Sequence, residues 1–207
     1  SGKNEFNPFG GNSFRFDNNE TADIAAFRKK GVRGSAVIIT SCIVIGLVIG
    51  LAVGFKTRSA HNEDVLKEKT FTCGNFSITL NEDFNETEHI NFNAVYSSLD
   101  VAVFVSNESF DAYEELRDFS AEDYMNAIIQ GNEITSATII DTQNYPHYEY
   151  YATNNETNIT YYYCAYIYKT ETSFWVVQFA TKADDEESYK DQISIWAQSV
   201  TFSNSAA

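Results

Sequence analysis

Two cysteines, three dispersed histidines and a scatter of carboxylates are the residues of this chain that could do chemistry. Cys73 and Cys164 are the two cysteines after residue 42. In an oxidising compartment they are expected to form a disulfide, closing a loop of about 90 residues and contributing about 4–5 kcal/mol in the chain-entropy model. As free thiols they would instead pack as small apolar groups. His61, His89 and His147 are far apart and show no HxxxH spacing, and no CxxC occurs, so neither a metal site nor a cofactor is expected. Glu149 and Asp141 are candidate acid and base for a surface enzyme. No GxSxG, HExxH, P-loop or Cys–His pattern accompanies them, and no DxDxDG loop suggests calcium. Asn75, Asn85, Asn107, Asn155 and Asn158 each begin an Asn-x-Ser/Thr sequon and would accept glycans in a secreted eukaryotic protein. A Tyr-rich stretch runs from Tyr145 to Tyr168. It reads either as core filler with hydroxyls at the edges or as an exposed aromatic platform for a protein or glycan partner.

These residues must be held by something, and the charge pattern shows where. The chain of 207 residues carries a net charge of −15, so nucleic acid is not an expected partner. Residues 1–35 hold six basic and four acidic side chains, residues 36–55 hold none, and the remainder holds eight basic and 25 acidic. Such asymmetry about an apolar run points to two compartments. Ala36–Phe55 (AVIITSCIVIGLVIGLAVGF) is 20 residues long. At about 1.5 Å per residue it matches the roughly 30 Å of a bilayer's hydrocarbon core. It is longer than a signal-peptide apolar region and starts at residue 36, so it reads as an uncleaved single-pass anchor. Arg28, Lys29, Lys30 and Arg33 precede it closely, whereas Lys56 and Arg58 follow. This bias places the N-terminus in the cytoplasm and the C-terminal domain outside the cell membrane. Gly46, Gly50 and Gly54 form a small-residue stripe that suits a homodimer through the span.

The expected organisation is a disordered cytoplasmic tail at 1–35, a transmembrane helix at 36–55, a polar linker at 56–70, an extracytoplasmic domain at 71–203 and a short tail at 204–207. Within the domain, Phe76–Leu80 alternates as a strand, and 91–97 and 100–106 pair across Ser98-Leu99. Phe110–Phe119 is a helical patch. Ser120 and Asp123 form a capping signal for a second helix ending at Gly131. Strands return at 137–142, 147–153, 159–169 and 173–181, and Asp184 is expected to cap a last helix to Ser199. The strands at 159–169 and 173–181 are apolar on both faces, so they are expected at the centre of a sheet covered on both sides. The fold class is α+β, a mostly antiparallel sheet flanked by helices.

The run FSITLNEDF, then VYSSLDVAVFV, then SAEDYMNAII, then paired strands and a C-terminal helix leading to SVTF resembles the PsbP-like superfamily over about residues 71–203. The resemblance implies an α-β-α sandwich used as a binding or assembly module, with no catalytic set to carry over. The function expected is therefore a membrane-anchored extracytoplasmic binding module, non-catalytic, with a protein or glycan partner. The alternatives are a cell-surface enzyme using acidic residues and a transmembrane signalling protein.

Overall fold

A computed structural model describes residues 67–140, 145–155 and 157–203. The expected tail, the span with its glycine stripe, most of the linker and Asp141 lie outside the described residues. Among the described residues no helix is long and apolar enough to cross a membrane.

The elements run β1 (Glu68–Cys73), β2 (Phe76–Asn81), β3 (Asn85–Thr87), β4 (Ala94–Ser97) and β5 (Val101–Ser109). A 3-10 turn (Glu114–Asp118) and α1 (Ala121–Gly131) follow. Then come β6 (Thr138–Ile140), β7 (His147–Asn154), β8 (Ile159–Lys169), β9 (Ser173–Lys182), a 3-10 turn (Ala183–Asp185), α2 (Glu186–Gln198) and β10 (Thr201–Phe202). Seven strands form one sheet in the order β3-β4-β5-β9-β8-β7-β6, and β1-β2-β10 form a second. Every pairing is antiparallel. This is the expected α+β class.

The composition of β8 and β9 explains the layering. A strand turns successive side chains to opposite faces, so a strand apolar at every position needs cover on both sides. Tyr162, Cys164, Tyr166 and Tyr168 join Val177 and Phe179 on one face, where Ile193, Trp196 and Ala197 of α2 and Phe76, Ile78 and Leu80 of β2 cover them. Tyr161, Tyr163, Ala165 and Ile167 join Phe174 and Val176 on the other face, beneath Tyr124, Met125 and Ile128 of α1. Tyr124 stacks on Phe174 with centroids 4.1 Å apart.

Local signals act where nothing opposes them. The Ser120 hydroxyl accepts from the Asp123 N–H at 3.0 Å, and the Asp123 carboxylate accepts from the Ser120 N–H at 3.1 Å. This reciprocal capping box starts α1 as expected. Gly74 turns β1 into β2 at φ +60, a backbone region that L side chains resist. Elsewhere tertiary bonds win. The patch 110–119 yields just a 3-10 turn over 114–118. The Phe110 N–H is drawn to the Thr172 carbonyl (2.8 Å). The carbonyls of Arg117 and Phe119 are taken by the Lys169 ammonium (2.8 and 2.6 Å). Asp184 lies inside a 3-10 turn, and α2 begins after Asp185 with no side-chain cap. β1 starts at Glu68, inside the stretch read as linker. Its side chains are exposed except Phe71 and the half-buried Cys73, so no apolar alternation marks it.

Two substitutions separate the local from the tertiary contribution. Trp196→Ala, which empties a site 3% exposed between α2 and the sheet, should destabilise by about 3–5 kcal/mol. Ser120→Ala should cost about 1 kcal/mol. Equilibrium urea unfolding checks both, and equal losses would contradict this division.

Candidate functional site: a His-Glu-Cys cluster beneath the last helix

Strand β7 alternates between the two cores. Tyr148 and Tyr150 join the α1 side, so His147, Glu149 and Tyr151 face the α2 side. The register then sets three cross-strand pairs on that face: His147 opposite Tyr166, Glu149 opposite Cys164 and Tyr151 opposite Tyr162. One ring nitrogen of His147, one carboxylate oxygen of Glu149 and the Cys164 sulfur all lie within 4.8 Å of one another. His147 is 8% and Cys164 2% exposed.

Each member has a distinct environment. His147 stacks on Tyr166 with centroids 4.3 Å apart. Its Nδ1 lies 3.0 Å from the Tyr145 carbonyl oxygen. A carbonyl can accept but not donate, so Nδ1 carries the proton and Nε2 keeps its lone pair in the neutral ring. Glu149 is clamped from above. Lys190 of α2 donates to Glu149 Oε2 at 2.9 Å and to Glu186 Oε1 at 3.3 Å, and Tyr151 donates to the second oxygen of Glu186. The hydrogen bond to Glu149 is the largest of the effects that raise the Lys190 pKa, so the ammonium stays charged. Burial, and then the Glu149 charge, push the Cys164 thiol up to about 12. The Tyr162 hydroxyl is held protonated by the same burial, with the Cys164 sulfur and the Glu149 carboxylate beside it. Although shut away from solvent, it makes no hydrogen bond of ordinary geometry.

This arrangement constrains the chemistry. The thiolate is the reactive form of cysteine. A thiol that ionises near 12 is not a nucleophile at neutral pH, and Nε2 of one histidine cannot overcome that deficit. Glu149, read from sequence as a general acid or base, is committed to Lys190, and its proposed partner Asp141 lies outside the described residues. The donor set itself (an imidazole, a carboxylate and a thiol) could hold a transition-metal cation.

The expected disulfide is absent: Cys73 and Cys164 are both free. Cys73 ends β1 in the small sheet and donates its S–H to the Asn93 carbonyl at 3.2 Å. Cys164 sits mid-strand in the large sheet, between Glu149 on one side and Phe179 on the other. Each sulfur is engaged where it stands, in a different layer. The cluster uses neither an HxxxH nor a CxxC spacing. The usable signal was His147-x-Glu149, a spacing of two that places both on one face of a strand. Cys164 joins them through a register that spacing alone does not reveal.

Of the sequons, Asn85, Asn155 and Asn158 are exposed and Asn75 and Asn107 half-buried. Asn107 donates to the Phe174 carbonyl at 3.3 Å inside the sheet. The tyrosines are core: Tyr148, Tyr150, Tyr161–Tyr163, Tyr166 and Tyr168 are buried, whereas Tyr151 is half-exposed. They form no aromatic platform.

No family model matches the chain, and no curated protein matches it. Several solved structures are similar. The cyanobacterial PsbP (CyanoP) of Synechocystis sp. PCC 6803 aligns with a TM-score of 0.45 and 10% identity, over 70% of this chain and 98% of that one. A Bacteroides thetaiotaomicron VPI-5482 protein aligns at 0.47 and 14%, over 67% of this chain and half of the other. LpqN of Mycobacterium tuberculosis, described as involved in cell envelope biogenesis, aligns at 0.41 and 9%, over 69% of this chain and 94% of that one. The likeness is one of layout, an antiparallel sheet with flanking helices, and says nothing of residues or activity.

A second buried carboxyl lies away from the cluster. Glu108 of β5 is 8% exposed, and burial raises its pKa despite an opposing hydrogen bond from Tyr124.

The buried acids that lose a proton at high pH make a directional prediction. The Cys164 pKa is raised on folding, from 9.0 towards about 12, and those of Tyr148 and Tyr162 rise above their ordinary 10.0. Between the unfolded and folded values the unfolded chain has released protons that the folded chain retains. Stability therefore holds below about pH 9 and falls as pH climbs towards 12. Urea midpoints measured from pH 7 to pH 11 should drop steadily above pH 9. In the native protein Cys73 should alkylate well before Cys164, and non-reducing peptide mapping should find no Cys73–Cys164 bridge.

Proposed function

We propose that this chain is a single-pass membrane-anchored protein whose α+β domain lies outside the cytoplasm and acts as a non-catalytic binding or assembly module. The observation that carries the non-catalytic part is the state of the His-Glu-Cys cluster. Its thiol is held protonated and its carboxylate is ion-paired with Lys190, so the cluster offers neither a thiolate nucleophile nor an unpaired carboxylate base. The uncharged run 36–55, with a basic flank before it and a strongly acidic stretch after it, supports the anchor and its direction.

The domain suits this role physically. Its two cores bury both faces of the large sheet, and a preformed surface binds with less loss of conformational freedom than one ordered on binding. Large apolar side chains remain on its outside: Ile90 between β3 and β4 is 91% exposed and Ile195 on α2 is 57% exposed. A protein or glycan partner outside the cell would be met by these and by the acidic surface. Gly46, Gly50 and Gly54 would let two spans approach closely and pair.

Protease added to intact cells should degrade the domain while an epitope in residues 1–20 survives. Protection of the domain until lysis would overturn the orientation. Crosslinking in native membranes should give a homodimer that disappears when Gly46, Gly50 and Gly54 are changed to Leu. It should also give adducts to the outer domain that survive this change. A domain that forms no specific adduct in its own envelope contradicts the binding-module reading.

A further inference from the structure

We propose that His147, Glu149 and Cys164 form a site for one divalent transition-metal cation of borderline softness, with Zn2+ as the best match. The proposal goes beyond the binding-module reading and does not depend on where the domain resides.

Donor chemistry sets the metal class. Magnesium and calcium take oxygen ligands, whereas a nitrogen, an oxygen and a sulfur donor together suit zinc and its neighbours. The three donor atoms already lie within 4.8 Å of one another. Tetrahedral zinc holds its donors about 2.0–2.3 Å from the ion, so a modest contraction of side chains, without backbone movement, would close the set. Cross-strand placement provides the rigidity. Glu149 and Cys164 are direct partners across β7 and β8, and His147 lies two residues before Glu149 on the same face.

The neighbourhood resembles the outer shell of a metal site. Ligating histidines hand their other ring N–H to a carbonyl or carboxylate, and His147 Nδ1 is 3.0 Å from the Tyr145 carbonyl. The Tyr162 hydroxyl lies beside both Cys164 and Glu149, placed to donate to either.

Charge balance favours a dication. On binding, Cys164 releases its proton to solvent and becomes thiolate. Thiolate and Glu149 carboxylate together offset two positive charges, leaving a neutral buried unit. Lys190 now occupies the Glu149 carboxylate and competes with any metal. It also touches Glu186 at 3.3 Å. The ammonium therefore has a second carboxylate to hold when the metal displaces it, and no buried charge is stranded.

The test uses the detergent-solubilised full chain, stripped of metal. Zn2+ should raise its Tm and resist a chromophoric chelator, whereas Mg2+ and Ca2+ should do neither. Substituted Co2+ should show a sulfur-to-metal charge-transfer band. That band should persist in the Cys42→Ser, Cys73→Ser double variant, where Cys164 is the sole remaining thiol. Glu149→Gln and His147→Ala should weaken Zn2+ binding by more than about tenfold. Lys190→Met, a substitution on the helix surface, should tighten it. A Co2+ complex without a thiolate band, or Zn2+ affinity indifferent to both Glu149→Gln and Lys190→Met, would overturn the proposal. Both readouts work even if a buried variant fails to fold, because the double variant and Lys190→Met leave the core intact. Failure here would leave the topology and crosslinking results untouched, and the converse also holds.

Discussion

The structure depends on the pairing of β8 with β9. These strands meet over nine residue pairs, from Tyr161 opposite Lys182 to Lys169 opposite Phe174. Almost every side chain along them is buried. A sheet built around such a pair cannot leave either face to water. One face recruits α2 and the small sheet, and the other recruits α1. A slip of one residue would exchange the two faces, carrying Tyr162, Cys164 and Tyr166 to the α1 side. Burial on both sides therefore fixes the register strongly.

That same register determines which polar groups meet. β7 is carried by β8, so the placement of His147 and Glu149 follows from the alternation that packs Tyr148 and Tyr150 into the other core. The cluster is a polar island on an apolar face, and burying polar groups is unfavourable unless they find partners. Lys190 of α2, itself held by Glu186, meets that need for Glu149, and the Tyr145 carbonyl meets it for His147. The thiol stays neutral instead. The island thus ties α2 to the sheet at one end while Trp196 and Ile193 anchor it by packing further along. A helix with no side-chain cap at its start gains its first-turn order from the Glu186–Lys190–Glu149 chain of ion pairs.

The legible parts of the fold were those where one physical signal had no competitor. The Ser120–Asp123 capping box, the Ser98-Leu99 turn and the two-sided apolar strands were readable because each is local or strongly periodic. The 110–119 patch was read as a helix from its composition. Hydrogen bonds donated by Lys169 and accepted by the Thr172 carbonyl left it a single 3-10 turn, and that competition is absent from the local sequence. β1 was missed because an edge strand buries one side chain fully and shows no alternation. The disulfide was inferred from cysteine number and compartment. Its geometry depends on which layer each sulfur occupies, and cysteine counting does not contain that information. The donor cluster was half legible: a His-x-Glu pair on a strand shares a face, yet its union with Cys164 needs the β7–β8 register.

By itself the sequence determined the class of fold, the central strands, the capped helix and the apolar run with its charge asymmetry. Each of these is set by short-range periodicity, side-chain capping or charge count, all of which act within a few residues. The tertiary structure decided that the two thiols stand apart, that the tyrosines fill the cores, and that His147, Glu149, Cys164 and Lys190 converge. Those outcomes depend on residues brought together across strands and layers. The free energy that fixes them is the burial of two apolar faces at once, a property of the assembled sheet and of no single segment.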